Sequence, residues 1–300
     1  MFTQEELKEA VNTANYKKLA QCLTVVENNE SGWKEILKSF SFNQDVPIVG
    51  ITGPPGAGKS TLISALIKKL SLSLKVAVLA VDPTSPFTQG SLLGDRVRMT
   101  NQYSNKNIYI RSLATRGALG GLSSKTLEMS DVLRASGFDI IIIETVGVGQ
   151  SEVEIAALAD TSVVVLVPES GDEVQMIKSG IIEIANIVVV NKADRPEAKR
   201  FRATVLENLK NKSSSNWSIP AIETIATKDE GIDELIDAIQ KHQKAEMQNQ
   251  KSILLAQRLY HHISHHRMSD LSVKDLVNEI DKAKLQNGVN IYLLAEKYLK

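Results

Sequence analysis

Cysteine is almost absent from this sequence: Cys22 is the single one in 300 residues. One thiol forbids an intrachain disulfide and a cysteine-rich metal site, and it fits a reducing compartment. Long hydrophobic runs are missing too. The longest, at 140–143 and 163–167, are far too short to cross a bilayer as a helix. Charge of one sign is also lacking. The 35 Lys and Arg balance 35 Asp and Glu, which removes the electrostatic argument for nucleic acid or an anionic membrane as main partner. The opening MFTQEELKEA lacks the basic start and apolar core of a signal peptide, and the Arg-rich look of a transit peptide. The expectation is a cytoplasmic protein with neither membrane nor nucleic acid as partner. Its 43% hydrophobic share is too high for a disordered chain, and its length predicts two domains or one large domain with extensions.

The pattern of apolar residues divides the chain in three. Residues 1–44 read as helical. Thr3 and Glu6 have capping-box spacing, and Leu7, Ala10 and Val11 then recur at helical period. Residues 45–232 alternate short Val- and Ile-rich runs with helical patterns. Strands are predicted at 47–52, 75–81, 107–113, 138–145, 162–168, 187–191 and 220–225. Helices are predicted at 59–70, 123–136, 151–159, 173–180 and 197–210. Continuously apolar strands are those covered on both faces, so the fold class is α/β: a mostly parallel sheet flanked by helices. Residues 233–300 read as a helical arm. A helix over 233–262 would be about 45 Å long at 1.5 Å per residue, and its polar middle predicts that it leaves the domain. Shorter helices follow at 273–285 and 291–299, separated by the stop signal Asn287-Gly288.

Gly53-Pro54-Pro55-Gly56-Ala57-Gly58-Lys59-Ser60 fits G-x-x-x-x-G-K-[ST] between a strand and a helix, the context that motif requires. Such a loop wraps phosphate oxygens with backbone N–H groups, and the helix behind it presents its positive end to the same anion. Lys59 adds a charge near the outer phosphates, and Ser60 offers a hydroxyl to Mg²⁺. With Thr61 in the first helical turn, these nine positions are the candidate phosphate site.

Asn191-Lys192-Ala193-Asp194 follows the sixth strand. A carboxylate there can accept hydrogen bonds from the ring N–H and exocyclic amine of guanine. Adenine offers no such pair, so Asp194 selects GTP over ATP. Ile225, Ala226 and Thr227 close the next strand and are placed to meet the base from their backbone. Asp82 and Glu144 end the second and fourth strands, where ligands bind in parallel sheets. Both are candidates for direct or water-mediated metal contact; strand capping is the alternative.

Four further segments carry a family resemblance: DPTSPF from Asp82, GSLLGDRVRM ending at Met99, RGALGG from Arg116 and ETVGVGQSE from Glu144. Together they resemble the methylmalonyl-CoA mutase-associated GTPases, P-loop proteins of the cobalamin-chaperone type. These are related to nickel-enzyme maturation GTPases and were formerly described as lysine/arginine/ornithine transport-system kinases. The resemblance spans about residues 45–240. It implies GTP and GDP as substrate and product, Mg²⁺ as cofactor, and an adenosylcobalamin-dependent acyl-CoA mutase as partner. GTP hydrolysis would gate cofactor delivery to that mutase and protect it, and the helical arm would form a homodimer. It places Asp95 in a mobile switch that joins the metal site.

Gln150 resembles a water-positioning glutamine, with a helix cap as the alternative. GDEVQMIK at 171–178 resembles a further switch, in which Lys178 would be a partner-dependent charge or an ordinary solvated lysine. The sequence departs from the family pattern at Glu169-Ser170 and at Gln89, which bears on partner contacts. No Asp-x-His-x-x-Gly cobalamin motif is present. His261, His262, His265 and His266 form two i,i+4 pairs that suit a metal ion or a plain helix surface or dimer contact. Rival readings are a nickel metallochaperone, a kinase of a transport component, and a nucleotide-bound scaffold.

Overall fold

The computed structural model describes residues 2–43, 45–82, 102, 104–114, 125–145, 155–156, 158–168, 181–210 and 217–246, together with 273–284 and scattered positions between 255 and 298. Its contacts divide the chain into two units, residues 1–254 and 255–300.

The first unit opens with three helices, α1 (Gln4–Asn12), α2 (Lys17–Glu27) and α3 (Trp33–Ser39). Thr3 caps α1 in the reciprocal way its spacing predicts. Its hydroxyl accepts from the Glu6 N–H, and the Glu6 carboxylate accepts from the Thr3 N–H. Seven strands follow, β1 (Ile48–Thr52), β2 (Val76–Asp82), β3 (Ile108–Ala114), β4 (Ile140–Glu144), β5 (Thr161–Leu166), β6 (Ile187–Asn191) and β7 (Ala221–Thr224). They form one sheet in the order β3-β2-β4-β1-β5-β6-β7, with every pairing parallel. Every strand therefore ends at the same edge. Among the described residues the α-helices between the strands are α4 (Lys59–Leu70), α5 (Lys125–Ala135) and α6 (Ala198–Lys210), and α7 (Ile232–Glu246) follows β7.

Both faces of the sheet are covered, which is why β1, β4, β5 and β6 are buried at every position. One face packs against α1, α2, α3 and α5 through Leu7, Leu23, Ile36, Leu133 and Phe138. Cys22 is fully buried in that cluster. The rings of Tyr16, Tyr109 and Phe138 cluster there, with Tyr16 stacked on Phe138, and Arg111 of edge strand β3 reaches Glu27 of α2 at 2.6 Å. The N-terminal helices thus share a core with the sheet. The opposite face packs against α4 and α7 through Leu62, Leu66, Ile232, Leu235 and Ile239.

The starting edge of the sheet is fastened by polar groups. Asp160 accepts from the Arg134 guanidinium at 2.6 Å and from the Ile48 N–H at 2.7 Å, while Arg134 Nε donates to the Val46 carbonyl. Nearby, His242 of α7 is 2% exposed, with Nδ1 2.9 Å from the Thr161 hydroxyl and its ring edge-on to Trp217. Burial pushes its pKa down to about 4, so a neutral imidazole packs there. This explains why α7 stays on the sheet beyond its apolar first turns, although the sequence from Lys241 onward looks polar.

Residues 247–254, the middle of the helix expected over 233–262, lie outside the described residues. In the second unit residues 255–256, 259–260, 263–264 and 267 are helical, and α8 spans Val273–Lys284. No helix among the described residues is long and apolar enough to cross a membrane.

Candidate functional site

The central strand β1 delivers the chain to the common edge, and the phosphate loop starts there. Two of its glycines are required by space as well as by backbone angle. A side chain on Gly53 (φ +143°) would place its Cβ 2.1 Å from the Val165 carbonyl oxygen. One on Gly58 (φ +85°) would place its Cβ 2.5 Å from Asn191 Nδ2. Ala57 is fully buried, and α4 begins directly at Lys59. The first-turn N–H groups and positive end of α4 therefore face the loop, the arrangement that binds phosphate. Lys59, 7% exposed, donates to the carbonyls of Gly53 at 2.8 Å and Pro54 at 3.1 Å. Its charge is thereby held over the loop.

Ser60 donates from its hydroxyl to Glu144 Oε1 at 2.8 Å, and the two side chains are buried. Ala80 of β2 pairs in register with Glu144, so Asp82 lies at the end of the strand beside it. Hydroxyl and carboxylate oxygens are the donors that Mg²⁺ takes in phosphate sites, and the Ser60–Glu144 pair stands where the phosphate loop meets α4. Asp95, Gln150 and Lys178 lie outside the described residues, as do the four clustered histidines.

The base loop is tied to the phosphate loop through one side chain. Asn191 donates from Nδ2 to the Ala57 carbonyl at 2.9 Å. Its Oδ1 accepts from the Thr224 hydroxyl at 3.0 Å and from the Ala226 N–H at 3.3 Å. Asn191 therefore braces three segments, a task different from touching the base. Lys192 adopts φ +57°, and the Ala193 N–H donates to the Thr224 carbonyl, which turns the chain out of the sheet. Asp194 is exposed on this turn. Ala226 is buried, Thr227 is exposed, and the Lys228 N–H closes the turn onto the Ile225 carbonyl. Thr61, Ala226, Thr227 and Gln102 line a common cleft of about 510 Å³. Thr224 escaped the sequence reading. Its only signal was a hydroxyl residue at the end of the strand that pairs with Asn191.

An all-parallel sheet, a strand–loop–helix phosphate site and an Asn-Lys-x-Asp turn braced to it define a P-loop GTPase. The residues between these landmarks narrow the class further. The family description "methylmalonyl-CoA mutase-associated GTPase MeaB" matches residues 19–283, and the chain belongs to that family. A protein of Pyrococcus horikoshii is 48% identical over 246 residues, covering 80% of this chain and 78% of that one. The mouse methylmalonic aciduria type A homolog, mitochondrial, is 34% identical over 312 residues, covering 94% of this chain and 75% of that one. Among solved structures, a LAO/AO transport system kinase superposes with a TM-score of 0.70 at 25% identity, covering 99% of this chain and 96% of that one.

Proposed function

We propose that this GTPase serves an adenosylcobalamin-dependent acyl-CoA mutase of the methylmalonyl-CoA mutase type. In this reading GTP hydrolysis in the cytoplasm gates cofactor delivery and protects the mutase. The observation that carries it is the match of residues 19–283 to the mutase-associated family, in a chain whose phosphate and base loops are tied together through Asn191. The name of the mouse relative, which concerns methylmalonic aciduria, supports the same partner.

The chemistry follows from placement. In the loop Gly53, Pro54, Pro55, Gly56, Ala57 and Gly58 the two prolines have no N–H to donate. The remaining loop amides and those of Lys59, Ser60 and Thr61 hold phosphate oxygens, and the Lys59 ammonium offsets charge on the outer phosphates. Ser60 and Glu144, with Asp82 and the switch residue Asp95, would hold Mg²⁺, which when bound neutralises phosphate charge. Gln150 orients the attacking water, and Lys178 is a charge brought in with the partner. Asp194 accepts from guanine, while Ile225, Ala226 and Thr227 meet the base from the other side. The chain gates cofactor delivery and need not hold cobalamin itself.

Purified chain and purified methylmalonyl-CoA mutase test this directly. Adding the mutase is expected to raise GTP turnover at least about tenfold, a modest value beside the 10³–10⁵ known for stimulation in trans. Turnover unchanged by the mutase, together with cofactor loading indifferent to GTP, would refute the proposal.

A further inference from the structure

We propose that Thr145, through a hydroxyl bridge to Thr52, is a positioning residue that fixes the Glu144 carboxylate against the phosphate loop and sets how tightly Mg²⁺ supports nucleotide binding. The inference rests on the reading of Ser60 and Glu144 as the cation side of the site. It adds two residues that the motifs leave out.

Thr52 ends β1, directly before Gly53, and Thr145 directly follows Glu144 at the end of β4. The Thr145 hydroxyl donates to the Thr52 hydroxyl oxygen at 2.8 Å. The Thr145 N–H donates to the Ile51 carbonyl at 3.1 Å, carrying the β1–β4 ladder one residue past the strand end. Thr52 is 0% exposed and Thr145 is 1% exposed.

Packing alone does not call for these oxygens. Valine has the same branched shape, and apart from Glu144 the other residues of IVGIT and IIIIE are apolar. A buried hydroxyl is costly unless it is bonded. These two satisfy each other, and what they add to apolar packing is direction.

The two feet of the phosphate loop are thus tied to one dipeptide. Thr52 is bonded to Thr145, and Ser60 is bonded to Glu144. The Ser60–Glu144 bond is the one that must yield when both oxygens turn to a cation. The threonine bridge lies at Thr145, one residue from Glu144, and does not compete for the cation. It therefore remains as a tie on the backbone that carries the carboxylate.

The test uses the full chain and a fluorescent GDP analogue titrated at rising Mg²⁺, with thermal unfolding measured alongside. Thr145→Val is expected to raise the half-saturating Mg²⁺ concentration about fivefold, the factor carried by roughly one buried hydrogen bond. Affinity measured in EDTA should stay within about twofold, because the loop amides are untouched. Thr145→Ser should restore the Mg²⁺ response. Thr52→Val should reproduce the defect, and the double variant should be no worse than either single, as expected for one shared bond.

An unaltered Mg²⁺ response in Thr145→Val overturns the proposal, and so does strict additivity of the two variants. Where Thr145→Val does not fold, Thr52→Val carries the same test from the other end of the bond. Ser60→Ala separates this inference from the reading beneath it. If Ser60→Ala responds to Mg²⁺ like wild type, the cation reading itself fails. If Ser60→Ala loses the response while Thr145→Val keeps it, only the bridge fails.

Discussion

Replacing Asn191 with alanine should loosen the nucleotide site without touching the nucleotide. The side chain makes three hydrogen bonds, to the Ala57 carbonyl, the Thr224 hydroxyl and the Ala226 N–H, at 2.9, 3.0 and 3.3 Å. At about 1 kcal/mol net for each, the loss is roughly 3 kcal/mol. Because the bonds exist in the free protein, part of the loss appears as stability; the ceiling, were all of it to appear there, is a fall of roughly 6–12 °C in Tm for a domain of this size. The rest appears as weaker binding of every nucleotide, since the two loops are no longer held in register; the ceiling is about a hundredfold.

Asn191→Asp sharpens the argument. It keeps the acceptor for Thr224 and Ala226 but puts an oxygen against the Ala57 carbonyl where the amide nitrogen now donates. It should therefore bind GDP no better than the alanine variant. Asp194→Asn is the contrasting change, because Asp194 is exposed. Its Tm should hold while preference for GTP over ATP collapses. Thermal unfolding and competitive binding with GDP and ADP read both. An Asn191→Ala protein that melts within about 1 °C of wild type and binds GDP within about twofold would refute the bracing role, since three buried bonds cannot vanish at no cost.

Two further outcomes follow from the packing. His242 has its pKa pushed down to about 4 by burial, from an ordinary value of 6.5. The unfolded chain thus binds the extra proton in that window, and stability should fall as pH drops from 6.5 towards 4; His242→Gln should flatten the slope, and an identical slope in thermal melts would sink the assignment. In the second unit Leu255, Leu259 and Ile263 recur at helical spacing and are 40%, 59% and 42% exposed. This is an apolar stripe of the kind that pairs with a second copy, so the full chain should sediment as a dimer with or without GDP, and a monomer in both conditions would end that idea.

Much of the fold was legible because parallel strands buried on both faces announce themselves. IIIIE and TSVVVL admit few other readings, and each of the seven predicted strands overlaps one in the sheet. The phosphate loop was legible because its glycines answer to local geometry. What stayed hidden was pairwise. Nothing near Asn191 in sequence names Ala57, 134 residues away, as its partner. Thr52 and Thr145 read as ordinary strand ends until the β1–β4 register sets them side by side. His242 sits in a run of polar residues, and only Thr161 and Trp217, from distant parts of the chain, turn it into a core residue. Arg134 likewise looks like a surface residue of a helix, yet it is 2% exposed and paired with Asp160.

The lone cysteine has a practical consequence. Thiol-reactive probes attack the thiolate, and Cys22 is fully buried with its pKa pushed up to about 12. At neutral pH the natural chain is therefore silent towards maleimides without any change to its sequence. Leu72, which is 85% exposed just past the far end of α4, is a position where a substituted cysteine disturbs little packing. A dye there would be the sole label on the molecule, a helix length away from the phosphate loop, and a second dye on a partner protein would then report their distance.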